Sequence, residues 1–397
     1  MSNDEGLTIS EKFVTKLCKH SFLKLWTHAN PKGKNGKELC DCLVVFDNHI
    51  IIISVKDVEF QETGDEVGIK RWIRTAIGKS YSQLYGAVRW LNSVDEIERV
   101  DGRKISLPDR KSRIYHRISV SLGSKGRIPI EWGDFGKGFV HILDEISLGA
   151  LFTILSTITD LVDFLMELES ITKNGTAIHL MEGGLEHLVA LYASNNNSFS
   201  FIDSNASKFI VDDDYWVNFI NSDIVKKWQE DTKISYSWDR IIEKFSKDLL
   251  TDGLFNMHDK SVSRNELALI EMAKQPRNHR TYLAESFIEI LSSSNNEIKS
   301  RIVKGYDDTA FVFLIGDSKD REIRAIELLQ RCMISRVRMG NVKKVIGIAA
   351  DKQGSNNKRF SEDIVFIEKA NISEDEESEI ISMQEKFGYF KNVKWSN

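Results

Sequence analysis

Residues 38–57 read ELCDCLVVF, then DN, then HIIIISVKD, which is two runs of Val, Ile, Leu and Phe on either side of Asp47-Asn48. β-Branched and aromatic residues favour the pleated surface of a strand, and an Asx pair tolerates the left-handed backbone of a two-residue hairpin turn. With that turn Phe46 faces His49, and counting back along both strands sets Asp41 opposite Ser54. Lys56, two residues on, shares their face with Leu43, Val45, Ile50 and Ile52. The opposite face takes Cys40, Cys42, Val44, Phe46, Ile51, Ile53 and Val55. Both faces are apolar, which suits strands inside an α/β sheet. An Asp and a Lys are costly there unless they bind a cation, pair with each other or do chemistry. A three-residue turn would bring Val55 opposite Asp41 and dissolve the constellation, and a strand-edge salt bridge between Asp41 and Lys56 is the plain structural alternative.

Outward from the hairpin, the apolar spacing predicts a first helix from Ser10 to Trp26, with Ser10 as its cap. A loop with Pro31, Gly33, Gly36, Lys34 and Lys37 follows. A long helix is expected over Gly68–Asn92, with Ile69, Trp72, Ile73, Ala76, Ile77, Leu84, Val88 and Leu91 on one broad face and Arg71, Arg74, Lys79, Gln83 and Arg89 off it. The run IYHRISVSL, ending at Leu122, reads as a further strand. Residues 1–130 thus form an αββαβ unit of ordinary domain size. Residues 131–300 read as mainly helical, with a helix through HILDEISLGALFTILSTITDLVDFLMELESI. Residues 301–397 return to mixed structure, with FVFLI, VIGIAA and DIVFIE as strands around a helix over Arg321–Arg336. Arg321, Arg324 and Arg331 are expected to form one basic edge of that helix, more simply a solvated face than a phosphate contact.

The chain has 397 residues, 41% hydrophobic and 28% charged, with 4 prolines. This balance excludes collagen-like, Pro-rich and disordered classes. Asp160 and Asp163 interrupt the apolar run LGALFTILSTITDLVDFLMEL, so a membrane span is not expected, and no secretory leader is read at MSNDEGLTIS. Four cysteines without ligand spacing predict reduced, packed thiols, and a cytoplasmic location follows as an expectation. Charge is uneven: residues 1–130 carry 22 Lys and Arg against 16 Asp and Glu on a chain whose net charge is -5. Arg103–Arg127 concentrates the positive part, either as a surface that tracks nucleic-acid phosphates or as a solvated basic loop and strand.

Asp41 followed thirteen positions later by Ser54-Val55-Lys56 resembles the active-site hairpin of the PD-(D/E)xK nuclease superfamily, in which an Asp precedes an (Asp/Glu)-x-Lys on the next strand. Glu11 on the first helix and Gln83 on the long helix fit the same pattern. The resemblance implies a restriction-endonuclease-like αβββαβ core, followed by the mainly helical region and the small C-terminal α/β region. It further implies a metal-dependent nuclease using Mg²⁺, or Mn²⁺, on nucleic acid, DNA rather than RNA. Asp41, Glu38, Glu11 and Ser54 would surround the metal. Lys56 would orient the attacking water or stabilise the phosphate, and Lys34, Lys37, Arg74, Lys79, Arg113 and Arg117 would hold the backbone. Ser54 departs from the pattern, because a hydroxyl is a poorer Mg²⁺ ligand than a carboxylate. Either Glu11 or Glu38 supplies the missing oxygen, or the chain is a catalytically silent nucleic-acid-binding or scaffold subunit. Restriction or anti-phage defence is the setting such fusions suggest, with residues 131–397 serving a partner or a second copy of the chain.

Overall fold

The computed structural model describes residues 7–61, 66–128, 132–181, 183–203, 206–211, 214–251, 264–293, 298–316, 321–340, 342–351, 362–368 and 372–390. The protein is mixed α/β, and its contacts form two compact units, one of residues 1–230 and 247–257, the other of residues 231–246 and 258–397. Residues 131–230, expected as part of a separate helical region, belong with the first unit.

The first unit opens with α1 (Ile9–Ser21). Its cap is Thr8 rather than Ser10: the Thr8 hydroxyl accepts from the Glu11 amide while the Glu11 carboxylate accepts from Thr8 N–H at 2.8 Å, a reciprocal capping box. The helix stops at Ser21, short of the expected Trp26, because Leu23 turns left-handed at φ 67°. The freed segment Thr27–Ala29 is β1, and it pairs antiparallel with β2 (Cys42–Phe46). The hairpin to β3 (His49–Asp57) has the register read from sequence, from Cys42 opposite Ile53 to Phe46 opposite His49, and Asp47 takes φ 52° in the turn.

The long helix is present as α2 (Glu66–Trp72), a π-helical stretch Ile73–Gly78, and α3 (Lys79–Leu91). Trp72, Ala76, Ile77, Leu84, Ala87 and Leu91 pack onto Leu43, Val45, Ile50 and Ile52. Each Leu, Ile or Val side chain among them contributes about 1.5–3 kcal/mol when fully buried. Cys40 joins this cluster instead of the Cys42 face, since it lies ahead of β2 and outside the strand alternation. After the short pair β4 (Glu96–Glu98) and β5 (Lys104–Ser106), β6 (Ile114–Leu122) runs parallel to β3, with Ser54 opposite Ser119 and Lys56 opposite Ser121. The sheet continues past residue 130 through β7 (Gly133–Asp134) and β8 (Phe139–Leu143), giving the strand order β1-β2-β3-β6-β8-β7.

Residues 141–143, expected at the start of a helix, instead end the strand β8: a continuous apolar run has no periodicity to distinguish the two, and the boundary is set by Asp144, whose carboxylate caps α4 (Glu145–Ile154). There follow α5 (Ile158–Lys173), β9 (Ala177–Leu180), α6 (Leu185–Ser194), β10 (Lys208–Val211), α7 (Tyr215–Asn221) and α8 (Asp223–Asp231). The parallel pair β9 and β10 adds two strands to a stretch read as mainly helical.

The second unit includes much of α9 (Tyr236–Thr251), then α10 (Arg264–Ala273), α11 (Arg277–Ser292), β11 (Lys299–Lys304), β12 (Thr309–Gly316), α12 (Arg321–Arg338), β13 (Lys344–Asp351), β14 (Glu362–Glu368) and α13 (Glu374–Phe387). Its sheet runs β11-β12-β13-β14, with β12 and β13 parallel across the α12 crossover. The side chain of Arg321 lies outside the described residues. Arg324 and Arg331 do not form an open basic edge: both are buried, Arg324 against Asp351 and Asp363, Arg331 against Glu327 and the Tyr389 ring.

Candidate active site at the hairpin mouth

Asp41 sits one residue ahead of β2, where its own N–H donates to Ile53 at 3.2 Å and its carbonyl accepts from Asn30 at 3.0 Å. Those two backbone bonds fix a side chain that is only 3% exposed. One carboxylate oxygen, Oδ2, accepts from the Val55 N–H at 2.6 Å and stands 3.7 Å from the Lys56 ammonium. Strand alternation aims Ser54 and Lys56 to the same side, and there both meet α3. The Ser54 hydroxyl donates to Gln83 Oε1 at 2.9 Å and Lys56 Nζ donates to the same oxygen at 3.1 Å. Gln83 therefore works as an acceptor that steers the amine, a role its place on a helix surface did not reveal. Lys56 keeps 27% of its side chain exposed, so the amine can be approached from solvent.

Glu38 completes the cluster from the loop before β2. Partial burial of its carboxyl end pushes its pKa up to about 7, and a hydrogen bond to Asp41, the Asp41 charge and the Glu11 charge push in the same direction, opposed by Lys56. Two acids joined by a hydrogen bond, with the Glu11 charge adding to their field, face a single ammonium. That is a donor set suited to a hard divalent cation. Among the described residues no three His, Cys, Asp or Glu side chains form a ready-made metal cage. Mg²⁺ does not require one, since it is commonly held by one or two carboxylates with water and phosphate oxygens in the other positions. Asp41 and Glu38 are the pair that could hold it, with Glu11 contributing field from its capping position. The Ser54 hydroxyl spends its proton on Gln83, which makes it a support for that amide before it is a ligand.

The other expected residues divide into two groups. Lys34, Lys37, Arg74 and Lys79 are exposed and available to a polyanion. Arg113 is not: its side chain is buried, donating to the carbonyls of Leu91 at 2.6 Å, Val94 at 3.0 Å and Pro108 at 2.8 Å, so it ties down the end of α3 and cannot contact a phosphate backbone. Arg117 is half-buried, with its guanidinium 3.4 Å from the Phe139 carbonyl and over the Tyr85 ring at 5.9 Å. Burial lowers its pKa. A basic residue on or just before a strand reads from sequence as surface charge, and only its acceptors and burial show that these two serve the fold. Asp57 points away from Lys56, as the alternation requires, and accepts from Ser10.

No family model, curated protein or solved structure matches this chain.

Proposed function

We propose that the protein is a metal-dependent nuclease of the PD-(D/E)xK type, cutting phosphodiester bonds of nucleic acid, with DNA as the first substrate to test. The observation that carries this reading is the Lys56 ammonium, held at 3.1 Å by Gln83 and 3.7 Å from Asp41, beside a second acid, Glu38, whose pKa is about 7. The order of α1, β1, β2, β3, the α2–α3 helix and β6 agrees with the αβββαβ core expected of such an enzyme, and the acids lie at the mouth of its central hairpin. Asp41 and Glu38 would hold Mg²⁺ or Mn²⁺, which when bound supplies water of lowered pKa and screens the phosphodiester charge. Lys56 would face the scissile phosphate, where its fixed positive charge favours the more charged transition state over the ground state. Gln83 orients that amine and Ser54 orients Gln83. The exposed Lys34, Lys37, Arg74 and Lys79 would track the backbone without reading sequence.

The test is cleavage of plasmid, linear duplex and single-stranded DNA by the purified chain with Mg²⁺ or Mn²⁺. Lys56→Ala and Asp41→Asn are each expected to lower the rate by about 10²–10³-fold, the cost of removing one preorganised charge from a transition state. Asn at 41 retains an oxygen for the Val55 N–H, so the fold is kept. Absence of cleavage by the wild type, with DNA binding intact in both variants, would favour the silent binding or scaffold reading. Ser54 in place of an acid is the specific feature behind that alternative.

A further inference from the structure

The loop between β7 and β8 carries an aromatic ring that neither the fold nor the proposed chemistry uses. Phe135 is 40% exposed at its tip, and one face of its ring is stacked on Tyr81 of α3, centroids 5.3 Å apart and planes 9° from parallel. Tyr81 in turn leans on Tyr85 at 5.9 Å, and the Tyr85 hydroxyl donates to Gly138 at 2.9 Å. The result is a short aromatic column rooted in the helix that carries Gln83.

The loop is built to hold that ring still. Asp134 Oδ1 accepts from the N–H groups of Gly136 at 2.7 Å and Gly138 at 2.9 Å. Gly138 has φ 108°, and a Cβ there would come within 3.0 Å of the Arg117 guanidinium, so the position demands glycine. Arg117 reaches across to Tyr85, joining the root of the column to the base of the loop. An exposed Phe on a mobile loop would be unremarkable. A rigidly presented ring, with one face covered by a parallel aromatic and Lys137 exposed two residues away, has the make-up of a stacking platform for a nucleic-acid base.

We propose that Phe135 stacks an unpaired base of the nucleic acid, so that the strand engaged by this protein is single-stranded or locally opened, with Lys137 beside the phosphate that follows. The inference rests on nucleic acid being the substrate and names its class. A base inside a duplex presents its faces only to its neighbours, so the platform can be used only where the stack is interrupted.

The experiment is fluorescence-anisotropy binding in EDTA, where metal-dependent cleavage is silent, with three probes: a single-stranded oligonucleotide, its duplex, and a strand of equal length made of abasic sugar-phosphate. The wild type is expected to prefer the first. Phe135→Ala should weaken binding to it about 10-fold, the usual scale for one lost base stack, and leave the abasic strand unchanged. Phe135→Trp should restore affinity for the base-bearing strand. Equal affinities of the wild type and Phe135→Ala for the base-bearing strand, or an equal loss on the abasic strand, would overturn the proposal. So would absence of binding to any of the three. The two readings fail separately: a protein that cleaves DNA yet ignores Phe135→Ala remains a nuclease without this platform, and one that shows the base-dependent loss without cleavage keeps the platform and loses the nuclease.

Discussion

In the second unit Asp239 lies between two guanidiniums, Arg277 at 2.8 Å and Arg280 at 2.6 Å, and both arginines are buried and further bonded within the same unit. In the first unit Asp41 is as deeply buried, but it faces a single ammonium at 3.7 Å and an acidic neighbour. Burial alone pushes Asp239 towards the neutral form, and the Arg280 and Arg277 charges outweigh it and hold the carboxyl below its usual range. Among the described residues nothing comparable faces the Glu38–Asp41 pair. Buried charge is thus common to both units, and what separates a structural ion pair from a candidate site is whether the charge is closed by its neighbours or left in surplus.

The largest effect expected from this contrast is on stability in the second unit. Arg280→Ala would leave a buried carboxylate with one partner instead of two, and breaking a buried pair in this way costs about 3–5 kcal/mol. Lys56→Ala, by contrast, removes a partly exposed amine 3.7 Å from a carboxylate that keeps its bond from the Val55 N–H, and should destabilise less than Arg280→Ala. Urea unfolding of both variants checks the pair. Equal destabilisation would mean that Lys56 is a structural counter-ion like Arg280, and the distinction between closed and open charge would collapse.

A second contrast lies in acid. The first sheet buries histidines where the second buries ion pairs: His116 and His141 on β6 and β8, and His28 on β1, are each held near pKa 3. Burial is the main cause throughout. The Arg99, Arg103 and Lys19 charges add to it at His28 against Asp101, Arg117 adds to it at His141, and His49, His141 and Arg117 add to it at His116. A base whose folded pKa lies below its unfolded value leaves the unfolded chain to take the proton first. Its contribution is therefore complete above pH 6.5 and declines as pH falls towards 3, by up to about 1.4 kcal/mol per pH unit for each histidine. Asp239 is lowered, so its contribution is lost only as pH drops below the ordinary carboxylate range. Hydrogen exchange between pH 6.5 and 4 should show amides of β3 and β6 losing protection before those of β12 and β13. His141→Phe should delay that loss, and simultaneous loss in both sheets would remove the difference.

The hairpin register, the long helix, β6 and the strands β12, β13 and β14 were legible because their apolar patterns and turn residues agree, whereas β11 was not read. From that register alone Asp41, Ser54 and Lys56 could be placed on one side. The early stop of α1, the strand nature of Phe139–Leu143 and the burial of Arg113 were not legible. Leu23 gives no compositional warning of a left-handed turn, an apolar run fits strand or helix equally, and an arginine reads as surface until its acceptors are known. Glu38 was readable as a residue but not as a state. Its perturbation comes from a loop conformation that brings it to Asp41, and no spacing rule contains that.

The smallest expected effect tests that state directly. An acid whose folded pKa is raised to about 7 is neutral in both folded and unfolded chains at low pH, and it ionises in the unfolded chain first. Stability should therefore fall as pH rises from about 4.5 to 7 and then level off. Glu38→Gln keeps the size and a hydrogen-bond partner for Asp41 while removing the titration. Its melting temperature should match the wild type at pH 5 and exceed it at pH 8, by no more than a few degrees because Glu38 is largely exposed. Millimolar Mg²⁺ at pH 8 should raise the wild-type melting temperature and raise that of Glu38→Gln less, since the variant has one charged oxygen donor fewer. If the variant instead melts below the wild type at pH 8, Glu38 is stabilised in its charged form. The surplus of negative charge at the hairpin mouth would then be absent, and Asp41 would be an ordinary partner of Lys56.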